Sequence, residues 1–458
     1  MHIHQTNLSP LSRRAFMVTG GKLSAGLFAG SALSSVKGAV GGAGERTRFA
    51  LVGTGVRGVA MYGRDVVRGY GDTVELVGIC DSNPGRLAYA SEYIGAGCPT
   101  FVSLEEMLVK TKPQWLMVTT WDWQHHSCII EGLKHGCNIM CEKPLTIDEQ
   151  KARLIRDAEK QYGKKIVVTF NYRYAPHRAK LKEMLMDKLI GDITTVDFHW
   201  NITHSHLQRY MQRWHGEADK GGTLWVHKAT HHFDLINWWL DSDPTEVFAF
   251  ADLERFGAKG PFRGRNCRNC DHADQCDYYW DITRNTHLKR LYTDNEHHDG
   301  YIRDNCVFRR EISIFDKHSA VVKYANNAYL NYSLTADTDY EGFWIAFNGT
   351  KGRIEGREGG WPSNRDYHEW IVTPRGKTPR VVRVQFEEGG HWGGDRVLMD
   401  RLFRNPDAPD PLHQSAGTRD GVMSMLVGVA ARKSLAAGIP IQIAGLSDIQ
   451  PMAVRPRG

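Results

Sequence analysis

The sequence carries almost no net charge outside its first 44 residues. The full chain of 458 residues contains 58 lysines and arginines against 52 aspartates and glutamates. Four of the basic residues, Arg13, Arg14, Lys22 and Lys37, lie in residues 1–44, which contain no acidic residue. The remaining chain therefore has 54 basic and 52 acidic residues. Because nucleic-acid-binding proteins carry a clear basic excess, this balance gives no electrostatic case for a nucleic-acid partner.

The chain also lacks a long hydrophobic run. Its most apolar early stretch, residues 18–33, is short and rich in Gly, Ala and Ser, which makes it a poor membrane span. The pair Arg13-Arg14 precedes this stretch, and Ala39 and Ala43 after it are candidate cleavage points. This order predicts a twin-arginine export signal over residues 1–44, and hence a periplasmic or otherwise exported protein with no membrane span after signal removal. The alternative is a disordered tail with a chance arginine pair.

Hydrophobic periodicity divides the remaining chain into two domains. Over residues 45–168, apolar runs alternate with helical patterns, which indicates an α/β domain of βαβ units with a parallel sheet. Over residues 169–458, β-rich runs follow one another without crossover helices, which favours an α+β domain with a large open, mostly antiparallel sheet. Glu311–Phe315 is one of these predicted strands. Residues 255–310 are polar and poor in aliphatic side chains, so we predict an insertion there.

A glycine motif follows the first apolar run. Residues 53–58, Gly-Thr-Gly-Val-Arg-Gly, have the form G-x-G-x-x-G between a strand and a helix, which is the context of a dinucleotide-binding Rossmann domain. Such glycines let the backbone approach a pyrophosphate, and the helix N-terminus attracts its charge. Asp81 ends the second strand, where a carboxylate binds ribose hydroxyls, so NAD is favoured. The nearby Arg86 leaves NADP as the less favoured alternative.

Four further motifs carry a resemblance to a known family. They are Glu142-Lys143-Pro144, Thr120-Trp121-Asp122-Trp123-Gln124-His125, Asn171-Tyr172-Arg173-Tyr174-Ala175-Pro176, and Gly221-Gly222 followed by His231 and Asp234. In this order they resemble the Gfo/Idh/MocA family of sugar and inositol dehydrogenases, the glucose–fructose oxidoreductase type. The resemblance runs from about residue 49 to the C-terminus, apart from the insertion. It implies a Rossmann domain, a nicotinamide cofactor and a carbohydrate substrate.

The resemblance also implies roles for single residues. Lys143 would hydrogen-bond the reacting hydroxyl during hydride transfer, and His231 would take the hydroxyl proton. The cofactor-binding candidates are Gly53, Gly55, Val56, Arg57, Gly58, Asp81, Arg86, Thr120, Trp121, His125, Glu142 and Lys143. The substrate-binding candidates are Tyr172, Arg173, Lys228 and His232.

One position departs from the family pattern. The family usually has aspartate four residues before the catalytic histidine, and this chain has His227 there. On one helix, residues 227 and 231 would share a face, so we place His227 among the catalytic candidates. An imidazole cannot stabilise an imidazolium as a carboxylate would, which leaves three roles open for it: substrate binding, proton relay, or help in metal binding. Lys228 faces an acidic substrate or is solvated.

The cysteines of the insertion form a pattern of their own. Cys267, Cys270 and Cys276 follow C-x2-C-x5-C, with Cys306 as a candidate fourth ligand. Such spacing favours a structural zinc site or an iron–sulfur cluster, and two disulfides are the alternative in an exported protein. The histidines crowded between residues 199 and 232 show no recognised zinc-ligand spacing.

Three functions fit these observations. The first is an NAD(P)-dependent oxidoreductase that acts on a hydroxyl of a sugar, glycoside or sugar derivative and keeps its cofactor tightly bound. The second is an NAD-dependent glycosidase that oxidises transiently, eliminates and reduces again. The third is a sugar-binding protein without catalysis, against which Lys143 and His231 argue, because binding alone needs neither. We further expect a homo-oligomer, a dimer or tetramer.

Overall fold

The computed structural model describes residues 46–359 and 365–456. The predicted export signal, residues 1–44, lies outside them. Within the described part of the chain, no helix has both the length and the apolar character that a membrane crossing requires.

The first domain is built on one parallel sheet. Its strands are β1 (Thr47–Val52), β2 (Val74–Cys80), β3 (Thr100–Phe101), β4 (Trp115–Val118), β5 (Asn138–Cys141) and β6 (Ile166–Val168). Its helices are α1 (Val66–Tyr70), which continues a π-helical segment (Gly58–Asp65), α2 (Pro84–Ile94), α3 (Leu104–Thr111), α4 (His125–Lys134) and α5 (Glu149–Tyr162). The strand order is β3-β2-β1-β4-β5-β6, and every pair is parallel. This confirms the Rossmann prediction; the order reverses beside β1, where such sheets bind ligands.

The second domain is built on a nine-stranded sheet. Its strands are β7 (Ile193–Thr203), β8 (Pro244–Asp252), β9 (Lys317–Tyr324), β10 (Tyr329–Thr338), β11 (Gly342–Gly349), β12 (Gly352–Glu358), β13 (Tyr367–Pro374), β14 (Arg380–Gln385) and β15 (Ile441–Gln442). The order is β14-β13-β12-β11-β7-β10-β9-β8-β15. Only β7 and β10 pair in parallel. The prediction of a large, mostly antiparallel sheet is thus confirmed.

The remaining helices follow α5 along the chain, and only some of them pack on this sheet. They are α6 (Pro176–Met186), α7 (His204–Gln212), α8 (Ala218–Gly221), α9 (Leu224–His227), α10 (Thr230–Leu240), α11 (Thr286–Leu291), α12 (Glu296–Asp299), α13 (Gly394–Phe403) and α14 (Thr418–Ala437). Short 3-10 turns lie at Asp122–Gln124, Asn171–Tyr174, Trp214–Gly216, Gly257–Lys259, Ala273–Gln275, Ile282–Arg284, Thr293–Asn295 and Ile443–Gly445. The long helix α14 packs against β8 and α10, and its middle is buried. The opposite face exposes apolar side chains, among them Phe250, Val321, Trp344 and Ile371.

Two local predictions are wrong. Glu311–Phe315 forms no strand. β8 and β9 pair directly with each other, which leaves no room between them, and Ser313 instead bonds to the backbone of Gly216 and Ala218. The helix expected to carry both residues 227 and 231 is broken, because α9 ends at position 227 and α10 begins at position 230.

The predicted insertion lies between β8 and β9. Residues 253–316 contain no strand and only short helical turns. The segment reaches across to the first domain, where Asn295 O accepts a hydrogen bond from Asn83 Nδ2 and Arg290 pairs with Glu92. The insertion therefore covers the edge of the first domain that carries the glycine motif.

Candidate functional site

A cavity of about 480 Å³ lies beyond the carboxyl ends of the first domain's strands. Its walls come from the loops after β1, β2, β4 and β5, from the chain between α7 and α10, and from the insertion. A pocket of this size accommodates a small molecule. Every cofactor-binding candidate except Gly58 lines it, as do the three catalytic candidates Lys143, His227 and His231.

The glycine loop has no room for side chains at two positions. Gly53 has a φ of +93°, and a Cβ on it would lie 2.6 Å from the carbonyl carbon of Thr119. A Cβ on Gly58 would lie 2.2 Å from the Gly53 oxygen, so Gly58 shapes the loop from behind. This bare backbone fits the close approach of a dinucleotide pyrophosphate. The insertion meets the loop here, because the Val56 N–H donates to the Tyr292 hydroxyl at 3.0 Å.

Asp81 and Arg86 form a buried ion pair at the end of β2. The Asp81 carboxylate accepts hydrogen bonds from the backbone and hydroxyl of Thr54 at 2.8 and 2.9 Å. Arg86 Nη2 donates to Asp81 at 3.0 Å and to Asp299 of the insertion at 2.7 Å. Burial opposes the Arg86 charge, yet these two carboxylates raise its pKa above the ordinary value. The guanidinium is thus already neutralised by two acids.

The loop after β4 is fastened by His125. One ring nitrogen of His125 bonds to Pro144 O at 2.8 Å and the other to Thr120 O at 3.3 Å. The imidazole thereby ties this loop to the backbone beside Lys143. Trp121, which also lines the cavity, stacks on Trp123 at a centroid distance of 4.6 Å.

Glu142 ties the end of β5 to the glycine-loop helix. Its Oε1 accepts from Arg57 Nε at 2.8 Å and from the Tyr62 hydroxyl at 2.9 Å. Arg57 also pairs with Asp395 at 3.4 Å. Burial alone would raise the Glu142 pKa, but the Arg57 guanidinium holds it below the ordinary value. Glu142 is therefore ionised and serves to position the loop.

Lys143 projects from the next position toward the second domain. Its ammonium donates to the backbone oxygen of His227 at 3.1 Å. Burial lowers the Lys143 pKa to about 8, although the charges of Asp122 and Glu142 oppose this shift. The side chain thus switches between ammonium and amine close to neutral pH.

The imidazole of His227 is paired with the carboxylate of Asp122. His227 Nδ1 and Asp122 Oδ2 lie 2.5 Å apart, and both side chains are buried. Burial lowers the pKa of His227 and raises that of Asp122. Both shifts favour the uncharged forms of the two groups.

His231 lines the cavity, and its imidazole is held by stacking. Its ring stacks on Tyr172 at 4.0 Å with an interplanar angle of 9°, and its buried Nδ1 has no hydrogen-bond partner. The pKa of His231 lies well below its ordinary value, mainly because the ring is buried. The charges of Lys143 and Lys228 lower it further. A neutral imidazole with an uncommitted nitrogen is able to accept a proton. The lysine beside it, Lys228, donates to the Tyr172 hydroxyl at 3.2 Å and pairs with Glu341 at 3.1 Å.

Comparison with known families decides the relationship of this chain. A model described as "Oxidoreductase family, NAD-binding Rossmann fold" matches residues 47–170, and its partner, the C-terminal alpha/beta domain, matches residues 182–443. The chain belongs to the Gfo/Idh/MocA oxidoreductase family. It is therefore an enzyme of a family whose N-terminal domain binds NAD.

Individual relatives agree with this membership over nearly the whole chain. The putative oxidoreductase YteT of Bacillus subtilis is 34% identical over 425 residues, which cover 87% of this chain and 98% of that protein. Glycosyl hydrolase family 109 protein 2 of Akkermansia muciniphila is 22% identical over 87% of this chain and 82% of its own length. The solved complex of levoglucosan dehydrogenase with NADH and levoglucosan has the same fold, with a TM-score of 0.63 at 16% identity, over 87% of this chain and all of that one.

Two of the substrate-binding candidates lie in the core and do not line the Gfo/Idh/MocA cavity. Arg173 donates to Asp234 at 2.6 and 2.8 Å and to Asp420 at 2.7 Å, with only 1% of the residue exposed. His232 is fully buried, bonds to the Tyr332 hydroxyl and stacks on a core tryptophan. Their assignment to substrate is wrong, because each is enclosed by protein partners.

The four cysteines of the insertion gain no support as a metal site. All nine cysteines of the chain are free thiols. Across the described residues, no three of the sulfur atoms of Cys267, Cys270, Cys276 and Cys306 lie within 4.8 Å of one another. One tetrahedral ion needs such closeness. The structure therefore supports neither zinc, an iron–sulfur cluster, nor the two alternative disulfides.

Several cavity residues were missed from the sequence. Residues 120–125 resemble the family's Thr-Pro-Asn-x-x-His loop, in which Asp122 takes the place of the asparagine. Asp122 pairs with His227, the residue that replaces the family aspartate. The departures at positions 122 and 227 are therefore complementary, because the carboxylate is on the opposite member of the pair. The presence of both departures in one chain was the sequence signal for this pairing. Arg213, His215 and Tyr301 also line the cavity but belong to no motif that singles them out.

Proposed function

We propose that this enzyme oxidises a hydroxyl group of a sugar or sugar derivative with a tightly bound NAD. The observation that carries the proposal is the convergence of Lys143 and His231 on the cavity that also contains the glycine loop. A binding protein would need neither an amine that titrates near neutral pH nor an uncommitted imidazole.

Each residue has a definite task in this reaction. The nicotinamide, when bound, accepts the hydride from the substrate carbon. The His231 imidazole accepts the hydroxyl proton, and Tyr172 fixes the plane of the ring by stacking on it. The Lys143 ammonium donates a hydrogen bond to the substrate oxygen as negative charge develops there. The Asp122–His227 pair holds the segment whose backbone oxygen receives Lys143, and so positions the ammonium.

The preference for NAD over NADP rests on the state of Arg86. A 2′-phosphate needs a free cation, and this guanidinium is held by Asp81 and Asp299. Tight retention is favoured by the insertion, which places Tyr292 and Tyr301 over the nucleotide end of the cavity. Asp81→Ala is expected to weaken NAD more than NADP; equal losses for both cofactors would remove this argument.

A second candidate is a redox-neutral glycosidase. The full-length likeness to a protein named glycosyl hydrolase family 109 favours it. In that case the same site would oxidise, allow elimination of the aglycone and reduce again. Released aglycone without net change in the nicotinamide would identify this activity, whereas net oxidised sugar would identify the first.

Two further proposals concern the setting of the enzyme. We propose export by the twin-arginine route, supported by the order of basic, apolar and small residues in 1–44. We also propose a homo-oligomer formed through the open sheet face, supported by its exposed Phe250, Val321 and Trp344. Light scattering of a Phe250→Asp variant tests the second, with a loss of mass expected.

One preparation tests the redox proposal. The purified protein is denatured, and the released nicotinamide is identified with its redox state and phosphate content. Turnover on a sugar panel is then compared with Lys143→Ala and His231→Ala, which should keep the cofactor and lose hydride transfer. Wild-type turnover in both variants would refute the proposed site.

A further inference from the structure

Arg213 is a cavity cation without an acidic partner. It follows helix α7, lines the cavity and is half-buried. Its Nε donates to Arg209 O at 2.8 Å, and its guanidinium lies 5.9 Å from the Tyr210 ring. Among the residues that the structure describes, no carboxylate lies within ion-pair distance of it. Arg309 holds the Arg213 backbone in place by donating to its oxygen at 2.8 Å.

A second unpaired guanidinium lies near it. Arg303 of the insertion is only 7% exposed, and its buried Nε and Nη1 have no hydrogen-bond partner. It packs beside the rings of Trp280 and Tyr292. Burial, and next the charge of Arg303, lower the pKa of Arg213 to about 10. A buried guanidinium beside a half-buried one, with no anion between them, is unfavourable, so an anionic group from outside the chain would stabilise them.

The charge of Arg213 reaches the catalytic end of the cavity. Burial and then the charge of Lys143 contribute most to the lowered pKa of His227, and the charge of Arg213 comes next. The Arg213 charge also acts to lower the pKa of Asp122, against the larger effect of burial. Apart from Lys143, the other cavity cations are already neutralised: Lys228 by Glu341, Arg57 by Glu142, and Arg86 by Asp81. Arg213 and Lys143 are therefore the lysine and arginine residues of the cavity wall that lack an acidic partner among the described residues.

We infer that Arg213, supported by Arg303, binds a carboxylate of the substrate, which makes the substrate an acidic sugar of the uronic acid class. This rests on the proposed function and specifies its substrate. One guanidinium on the cavity wall matches the single charge of a carboxylate, and its fork permits two parallel hydrogen bonds. Lys228, the cation that the sequence suggested for an acidic substrate, is already paired and is not the one that remains free.

The test compares matched sugars that differ in one group. Methyl glucuronide and methyl galacturonide are compared with methyl glucoside and methyl galactoside by single-turnover reduction of the bound cofactor, and glucose 6-phosphate reports on phosphate as the anion. The uronides should react with the higher second-order rate constant. Arg213→Gln should lower that value for uronides about 10- to 100-fold more than for neutral sugars, the range for a hydrogen bond to a charged group.

Three controls give the result its meaning. Arg209→Gln removes an exposed arginine four residues earlier and should have no effect. Arg213→Lys should recover part of the uronide rate, and Arg303→Lys should lower the uronide rate less than Arg303→Gln.

Hydride transfer from neutral sugars without a uronide preference overturns the inference and leaves the oxidoreductase proposal intact. A loss of NAD affinity in Arg213→Gln with an unchanged sugar preference assigns the pair to the cofactor pyrophosphate and also overturns it. No transfer from any sugar tested overturns both.

Discussion

The carboxylate of Asp122 and the imidazole of His227 lie 2.5 Å apart in the cavity wall, although 105 residues separate them in the sequence. The first lies in the loop after β4 and the second at the end of α9, so this pair joins the two domains beside the catalytic lysine. Burial favours the uncharged forms of both groups, because separated charges would be costly there.

We expect Asp122→Asn to lower kcat about 10- to 100-fold, the cost usually seen when a residue that orients a functional group is lost. His227→Asp alone should be worse, because it sets two carboxyl groups side by side. The double variant Asp122→Asn/His227→Asp restores an amide–carboxylate pair and should recover part of the rate. A double-mutant cycle on kcat measures this coupling; additive losses would show that the pair has no joint role.

The pH profile should reflect the Lys143 ammonium. Its pKa of about 8 means that the charged form prevails below that pH and is lost above it. The rate should therefore fall as the pH rises through about 8. Lys143→Arg stays charged and should remove this limb, even at a lower rate, whereas Lys143→Ala should cost about hundredfold or more. A wild-type profile flat to pH 10 would contradict the assignment.

His231→Ala should reduce kcat about 10²- to 10⁴-fold, the usual range for a general acid–base. The neighbouring His232→Gln is the matched control, because its ring bonds only inside the core. That variant should melt earlier but keep its rate per folded molecule. Since burial keeps His231 neutral, activity should persist below pH 6.5. Equal rate losses in both variants would indicate a general folding defect.

Arg173→Ala should affect stability first. It leaves the buried Asp234 without its partner, and breaking such a pair costs about 3–5 kcal/mol of unfolding free energy. Denaturant unfolding measures the loss, and Arg173→Lys should lose less because it keeps the charge. A raised KM with unchanged stability would show instead that Arg173 binds the substrate.

The sequence alone was sufficient to predict those elements whose signal lies in a short stretch of the chain. The apolar runs before Gly53 and Asp81 predicted the parallel strands, because buried strands need no distant information. The role of Arg173 was misjudged because its motif places it near the cavity. Asp420, one of the partners that hold its side chain in the core, is 247 residues away in the sequence. Contacts of this kind depend on three-dimensional packing, and no spacing rule along the chain reports them.

The insertion has a consequence for the order of folding. The nucleotide cleft is closed by a contact between Val56 and Tyr292, 236 residues apart, and by one between Arg57 and Asp395, 338 residues apart. Contacts of such long range form late, since the entropy of closing the loop is lost before they give stability. During refolding, the helices and the first sheet should return before the protein regains its ability to hold a dinucleotide. Cofactor capture is then a measure of completed folding, and a nascent chain that ends before residue 292 has yet to acquire it.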